Sequence, residues 1–252
     1  MLAGTDTFLS KVPALQRPRR RVLALLIALG CLLLPLGFFY LVDGWFPGAP
    51  LVTQMVVVVI GFWLVFRFFS QREAHLARYG SNAYGYAFVR YVTTGLPFIF
   101  AAIAHLVFVP GPRLVPLTWA AIPAAYLLLT GVILWLRAVF TFGLDNLFMV
   151  YVYFPDEGRL VSSSIYNVIR HPVYSGVLRI GLGLALCQGN GWALLMGLLL
   201  PVGLLVWIRF VEEPELIQRF GSGYADYRKR VPALIGWPRY WPAFWRFLIA
   251  GK

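Results

Sequence analysis

Long unbroken apolar runs, not a strand-like or one-sided helical alternation, dominate this chain. Six of them stand out, at residues 22–42, 51–69, 91–109, 117–140, 172–187 and 192–211. Crossing a ~30 Å hydrocarbon core takes about 20 helical residues. Continuous runs predict helices, because barrel strands alternate lipid-facing and lumen-facing positions. The last two runs are separated only by "QGNG" at 188–191, a link short enough to fold them into an antiparallel helical hairpin. The pattern therefore predicts an all-α integral membrane protein of about six transmembrane helices, the last two a hairpin.

Composition agrees. Of 252 residues, 60% are hydrophobic and only 13% charged, with a mean hydropathy of +0.74; a soluble domain carries about a quarter charged residues. A net charge of +12 raises the question of nucleic acid, and its distribution answers it. The N-terminal arm "KVPALQRPRRR" holds five basic residues; Arg67, Arg72, Arg78 and Arg90 cluster after the second run. Arg228, Lys229, Arg230, Arg239, Arg246 and Lys252 crowd the tail. The alternate links "DGWFPGAP", "PGPRLVP" and "QGNG" hold only Arg113. That alternation is the positive-inside pattern. It predicts both termini, the 67–90 link and the 142–171 segment on the cytoplasmic side (of the inner membrane, in a bacterium), with some attraction to anionic lipid and no nucleic acid. The first apolar run lacks a small-residue cleavage site and is expected to remain as a span. Cys31 and Cys187 fall in apolar runs and form neither a disulfide framework nor a metal site.

The organisation changes near Thr141. Residues 1–140 carry four spans on plain links. Residues 141–252 hold a cytoplasmic stretch with the polar run Ser162–Ser163–Ser164, the doorway "RHPVYSG" (170–176), the hairpin, and a polar tail. Pro172 suits the first turn of a helix, where its missing N–H costs nothing. His171 then stands at the N-terminal cap, and the free backbone donors of 173–175 favour a carboxylate or phosphate. Gly176 permits a close approach to the helix. At the far end of the hairpin Glu212 and Glu213 sit side by side, with Arg209 spaced i,i+4 to pair with Glu213. Leu216, Ile217, Phe220, Tyr224 and Tyr227 recur at helical spacing, broken by Gly221–Ser222–Gly223. An exposed helix-end ion pair would be worth little, but topology brings both polar sets to one membrane face.

These residues resemble the isoprenylcysteine carboxyl methyltransferase family, whose pattern is shared with bacterial phospholipid and small-thiol methyltransferases. The resemblance rests on Arg170, His171, Pro172, Tyr174 and Gly176, an apolar hairpin, then Glu212, Glu213, Leu216, Phe220, Gly221, Tyr224, Tyr227, Val231 and Pro232. It covers roughly residues 141–240. It implies S-adenosylmethionine as methyl donor, held in a cytoplasmic pocket that opens toward the bilayer, and no metal. By that resemblance Tyr166, Arg170, His171, Val173, Tyr174, Gly176, Glu212, Glu213, Leu216, Tyr224 and Tyr227 form the cofactor site. Arg209 is expected to steer an anionic group of the acceptor, with Glu213 holding its guanidinium; these two are the candidate catalytic residues. Arg179, about two turns into the fifth span, either snorkels to the cytoplasmic face or lines the acceptor path. Whether Asp145 and Asn146 join the site is left open.

The implied acceptor is lipophilic or amphiphilic: an isoprenylcysteine-like carboxylate, a lipid or a thiol. Two other readings stand beside it, a membrane NADPH-dependent reductase of sterol-reductase type and a non-catalytic membrane protein of the same fold. The adjacent glutamates and "RHPVY" favour methyl transfer. No feature of the sequence sets an oligomeric state.

Overall fold

The computed structural model describes residues 3–159 and 164–251; Ser162 and Ser163 of the polar run lie outside them. Every regular element in this part is helical, with a single isolated bridge between Arg113 and Asn190. In order they are α1 (Thr5–Lys11), α2 (Pro18–Val42), α3 (Ala49–Ser70), α4 (Arg72–Tyr79), α5 (Ala83–Ala87), α6 (Thr93–His105), α7 (Leu117–Phe142), α8 (Leu144–Leu147), α9 (Val150–Tyr153), α10 (Pro172–Gln188), α11 (Gly191–Trp207), α12 (Glu213–Phe220), α13 (Ser222–Arg230) and α14 (Trp241–Ala250).

Five helical stretches are long and apolar enough to cross a membrane: Pro18–Val42, Ala49–Ser70, Arg72–His105, Leu117–Phe142 and Gly191–Phe220. The chain is an integral membrane protein. Two boundaries differ from those the apolar runs predict. The third stretch begins at Arg72, because the polar link "REAHLARYGSNAYGYAF" continues as helix through a 3₁₀ turn at Gly80–Asn82 and a π turn at Phe88–Val92. The last runs on to Phe220 through a second π turn at Ile208–Glu212. Hydrophobicity marks where lipid begins and is silent on whether the helix continues into the headgroups. The expected fifth span is α10, 17 residues long; at 1.5 Å per residue it reaches only about 25 Å.

Packing sorts the long helices by neighbour. Helices α2 and α3 pack on α6 around Phe39, Val57, Ala101 and Ala102. One end of this group carries a buried polar network: His105 Nε2 lies 2.6 Å from Asp43 Oδ2, and Thr53 Oγ1 donates to Asp43 Oδ1 at 2.6 Å. His105 Nδ1 faces Gln54 Oε1 at 2.9 Å, and the imidazole stacks on Phe39 at 3.8 Å. Each polar group there has a partner, as burial demands. At the same end Asn190 caps α11 through Ala193 N and donates to Val109 O at 2.7 Å.

Helices α7 and α10 make the most intimate contact, and α10 packs in turn on α11. The reason is two glycines. A Cβ on Gly131 would stand 2.9 Å from Ile180 N and 3.0 Å from Gly176 O; one on Gly176 would stand 2.9 Å from the Trp135 backbone. In lipid, where apolar surface gains little by leaving one hydrocarbon for another, such close approach is the main source of helix affinity. The partner that the bare Gly176 admits is thus α7.

Gly131→Ala and Gly176→Ala are therefore each expected to lower the melting temperature of the detergent-solubilised protein. Gly203→Ala should not, since a Cβ there meets nothing within 4 Å. Equal melting for all three variants would refute the account of the α7–α10 contact.

Candidate active site

The doorway "RHPVYSG" is held by the tail of the chain. A 3₁₀ turn, Ser164–Asn167, leads into Arg170 and His171, whose backbone N–H groups donate to Pro232 O at 2.9 Å and Ala233 O at 3.0 Å. Pro172 opens α10 as its composition predicts, with His171 before it making no side-chain cap. Ser175 Oγ donates to Leu234 O at 2.6 Å, and Tyr227 Oη to Tyr166 O at 2.6 Å. These hydrogen bonds tie residues 166–175 to 227–234, so the two polar segments flanking α10 and α11 form one unit.

At its centre lies Glu213, 2% exposed. Arg170 Nε and Nη2 donate to its Oε1 at 3.1 and 2.7 Å, and Arg228 Nε meets its Oε2 at 3.0 Å. The remaining Arg170 nitrogen, Nη1, donates to Arg228 O at 2.7 Å and to Val231 O. A carboxylate this deeply buried costs several kcal/mol unless opposite charge and hydrogen bonds surround it; here two guanidiniums do so. His171 completes the set, with Nδ1 3.3 Å from Glu212 Oε1 and Nε2 3.5 Å from Glu213 Oε1. Burial works to lower the His171 pKa, but the two carboxylates outweigh it and hold it above the ordinary histidine value.

The cluster contains buried polar atoms with no partner: Tyr166 Oη, Tyr224 Oη, Glu212 Oε2 and His171 Nε2, the last within ion-pair reach of Glu213 but outside hydrogen-bond geometry. Burial raises the Tyr166 and Tyr224 phenols well above the usual tyrosine range, keeping them neutral. Unpartnered polar atoms cost about 1–3 kcal/mol each. Concentrated in one cluster, they suit a polar ligand that supplies their partners. Glu212 offers an acceptor for a cation or a hydroxyl, the two phenols offer donors, and an imidazole faces a carboxylate. This donor set fits S-adenosylmethionine, whose ammonium, carboxylate and ribose hydroxyls need these groups.

The other expected residues divide. Tyr174 stacks on His171 at 5.9 Å and accepts from Trp207 Nε1 at 3.3 Å. Leu216 packs with Ile217 and Phe220 on Tyr224, Tyr227 and Val231. Val173 is half-buried in the first turn of α10. Arg209 departs from expectation: it is exposed, and the Glu213 oxygens are taken by Arg170 and Arg228. The carboxylate turns inward, where guanidiniums from other elements neutralise it more fully than an exposed neighbour on its own helix. Arg179 is drawn back onto Ser175 O at 3.2 Å and lies over the Phe244 ring at 5.0 Å, toward the N-terminal end of α10. Asp145 is taken by Tyr151 Oη and packs beside Gly4, and Asn146 donates to Phe142 O at 2.8 Å. Asp145 thus serves the join between the N-terminal arm and α8, and Asn146 the join between α7 and α8.

Arg228 was missed by sequence reasoning, which counted it as a topology charge. Its spacing of four from Tyr224 puts both on one face of α13, the signal that could have marked it. The backbone acceptors of 231–234 left no such trace.

Two outcomes follow. Arg170→Ala should cost about 3–5 kcal/mol of stability by stripping Glu213 of its main partner, read as a lower unfolding midpoint with earlier proteolysis of the tail. The contribution of charged His171 should be whole below the ordinary histidine pKa and fade as pH rises through its elevated folded value. The melting-temperature gap between the parent and His171→Gln should accordingly shrink with rising pH; a gap that widens would contradict the charged pair.

Comparison with known proteins adds the following. Residues 119–223 match the family model for phospholipid methyltransferase. The chain is 29% identical over 138 residues to protein-S-isoprenylcysteine O-methyltransferase B of Arabidopsis thaliana, covering 52% of this chain and 66% of that protein. It is 33% identical over 131 residues to the human protein-S-isoprenylcysteine O-methyltransferase, covering 48% and 43%. Over 96 residues it is 34% identical to methanethiol S-methyltransferase 2 of Bradyrhizobium diazoefficiens, covering 37% and 36%. The matches thus span less than two thirds of these relatives' own lengths. No solved structure matches the chain significantly.

Proposed function

We propose that this chain, a member of the isoprenylcysteine carboxyl methyltransferase-like family by its 119–223 match and its relatives, is a membrane methyltransferase. It uses S-adenosylmethionine and acts on a lipophilic or amphiphilic acceptor. The observation that carries this reading is the buried cluster around Glu213 with its four unpartnered polar atoms. The relatives named above are methyltransferases, which leaves the reductase and non-catalytic readings without support.

Residues 141–252 are the catalytic part, with α7 as its packing support, and residues 1–140 the part that anchors it. Helices α10 and α11 form the hairpin, and the site lies on the cytoplasmic face with both termini. When bound, S-adenosylmethionine would supply a methyl group activated by its sulfonium for transfer to the acceptor's nucleophile, with the thioether as leaving group. The protein's task is then alignment and exclusion of water. Glu212 and His171 hold the charged amino-acid end, Tyr166 and Tyr224 the hydroxyl-rich end, with Tyr227 and Leu216 walling it. Arg170 and Glu213 fix these groups in place. Val173 and Tyr174 present the first turn of α10, whose partial positive charge suits a carboxylate.

Isothermal titration with S-adenosylmethionine tests this. Tyr224→Phe removes only the unpartnered hydroxyl and should weaken binding roughly tenfold without loss of stability; Glu212→Gln should weaken binding as much and also lower the melting temperature, because it removes a carboxylate partner of His171. Unchanged affinity in both variants would remove the cofactor from this cluster.

Arg209, exposed and free of Glu213, is proposed to meet an anionic group of the acceptor. Arg209→Ala should keep cofactor affinity and lose turnover, and Arg209→Lys should rescue poorly because a point charge cannot reproduce a bidentate fork. Turnover equal to the parent would reduce it to a helix-end anchor.

A further inference from the structure

On the outer side of the tail, Lys229, Arg230, Trp237, Pro238 and Arg239 line an open cavity of about 570 Å³. Its cations are exposed, and the carboxylate that meets them is Asp226, 2.9 Å from Lys229 Nζ. Arg230 Nε donates to the Asp226 backbone carbonyl at 3.3 Å and shares the Asp226 carboxylate's field with Lys229. Arg239 lies over the Tyr240 ring at 4.7 Å and has no carboxylate partner among the described residues. Three positive charges thus meet one negative charge around a space large enough for a ligand. The Glu213 cluster uses Arg228 and none of these three cations, so the cavity is separate from it.

What adjoins the cavity decides the ligand. Helix α14 buries Phe244, Phe247 and Leu248 against Leu134, Ile165 and Ile169. Its outer side is largely apolar, with Trp241 56% exposed, Ile249 76% and Trp245 39%, and carries one exposed cation, Arg246; Ile235 and Trp237, before the helix, are exposed as well. A helix that exposes two tryptophans and an isoleucine beside a single arginine suits a lipid headgroup boundary better than water. Tryptophans at such a patch sit at headgroup depth. The cavity's cations are then level with the phosphates of the surrounding lipid.

We propose that this cavity binds the headgroup of an anionic phospholipid. Arg230 and Arg239 take the phosphate through their planar forks, Lys229 adds charge, and the acyl chains lie along Trp241, Trp245 and Ile249. A free phosphate would satisfy the cations and leave the tryptophan surface uncovered, which is why the lipid is the better occupant. The inference does not depend on methyl transfer.

The test uses the full purified chain in mild detergent, titrated with short-chain phosphatidylglycerol, with phosphatidylcholine of the same chain length, and with inorganic phosphate. Bound ligand is read by native mass spectrometry. Phosphatidylglycerol should bind best. Arg230→Gln and Arg239→Gln should each weaken it roughly fivefold and the pair roughly twenty-five-fold, while Arg239→Lys loses less. These side chains are exposed, so an unchanged melting temperature is expected and confirms the fold. Equal binding of the two lipids, or single variants that bind like the parent, would overturn the site. Inorganic phosphate matching phosphatidylglycerol would overturn the lipid assignment in favour of a simple anion site.

Discussion

The buried Glu213 carboxylate organises everything around it. At 2% exposure it cannot remain charged without opposite charge at hand, and it draws Arg170 from before α10 and Arg228 from α13 onto its two oxygens. Arg170 then spends its remaining nitrogen on the carbonyls of 228 and 231, which brings the tail back across the doorway. One ionic contact therefore sets where α12, α13 and the 231–236 segment lie. It also places Glu212, His171, Tyr166 and Tyr224 side by side, and it leaves atoms of each without partners.

That arrangement needs a rigid base, which α7 supplies. The Gly131–Gly176 contact lets two backbones meet, and it falls within the first two turns of α10, immediately beyond His171. The position of the imidazole is thereby referred to α7 through backbone, which is stiffer than any side-chain contact. Trp207 extends the same base, bonding Tyr174 and packing on Phe62 and Phe69 of α3.

The second buried polar network, Asp43–Thr53–His105–Gln54, has a different character. Its groups are matched to one another, whereas the Glu213 cluster keeps open valences. The matched network pins the ends of α2, α3 and α6; the unmatched one has capacity for a ligand. Buried polar groups of similar composition are thus fully paired in one place and left with unpartnered atoms in another.

Hydrophobic runs and the positions of arginine were enough to establish a helical membrane protein, since only helices and closed barrels satisfy their own hydrogen bonds in lipid and barrel strands would alternate. The doorway and the paired glutamates were legible for a related reason: charge and proline beside apolar runs are costly unless they have a local task. Helical spacing likewise exposed the Leu216–Tyr227 face, which packs as one cluster. Which cation meets Glu213 was not legible. The i,i+4 rule favours Arg209 because sequence records neighbours along one helix, while the choice went to Arg170 and Arg228, 43 residues before it and on the next helix. Nor could sequence say that Gly176 faces Trp135, or that polar residues 72–92 stay helical. Those outcomes depend on which surfaces meet in space, where burial multiplies the strength of a charge pair and a backbone contact, and only the tertiary structure sets that.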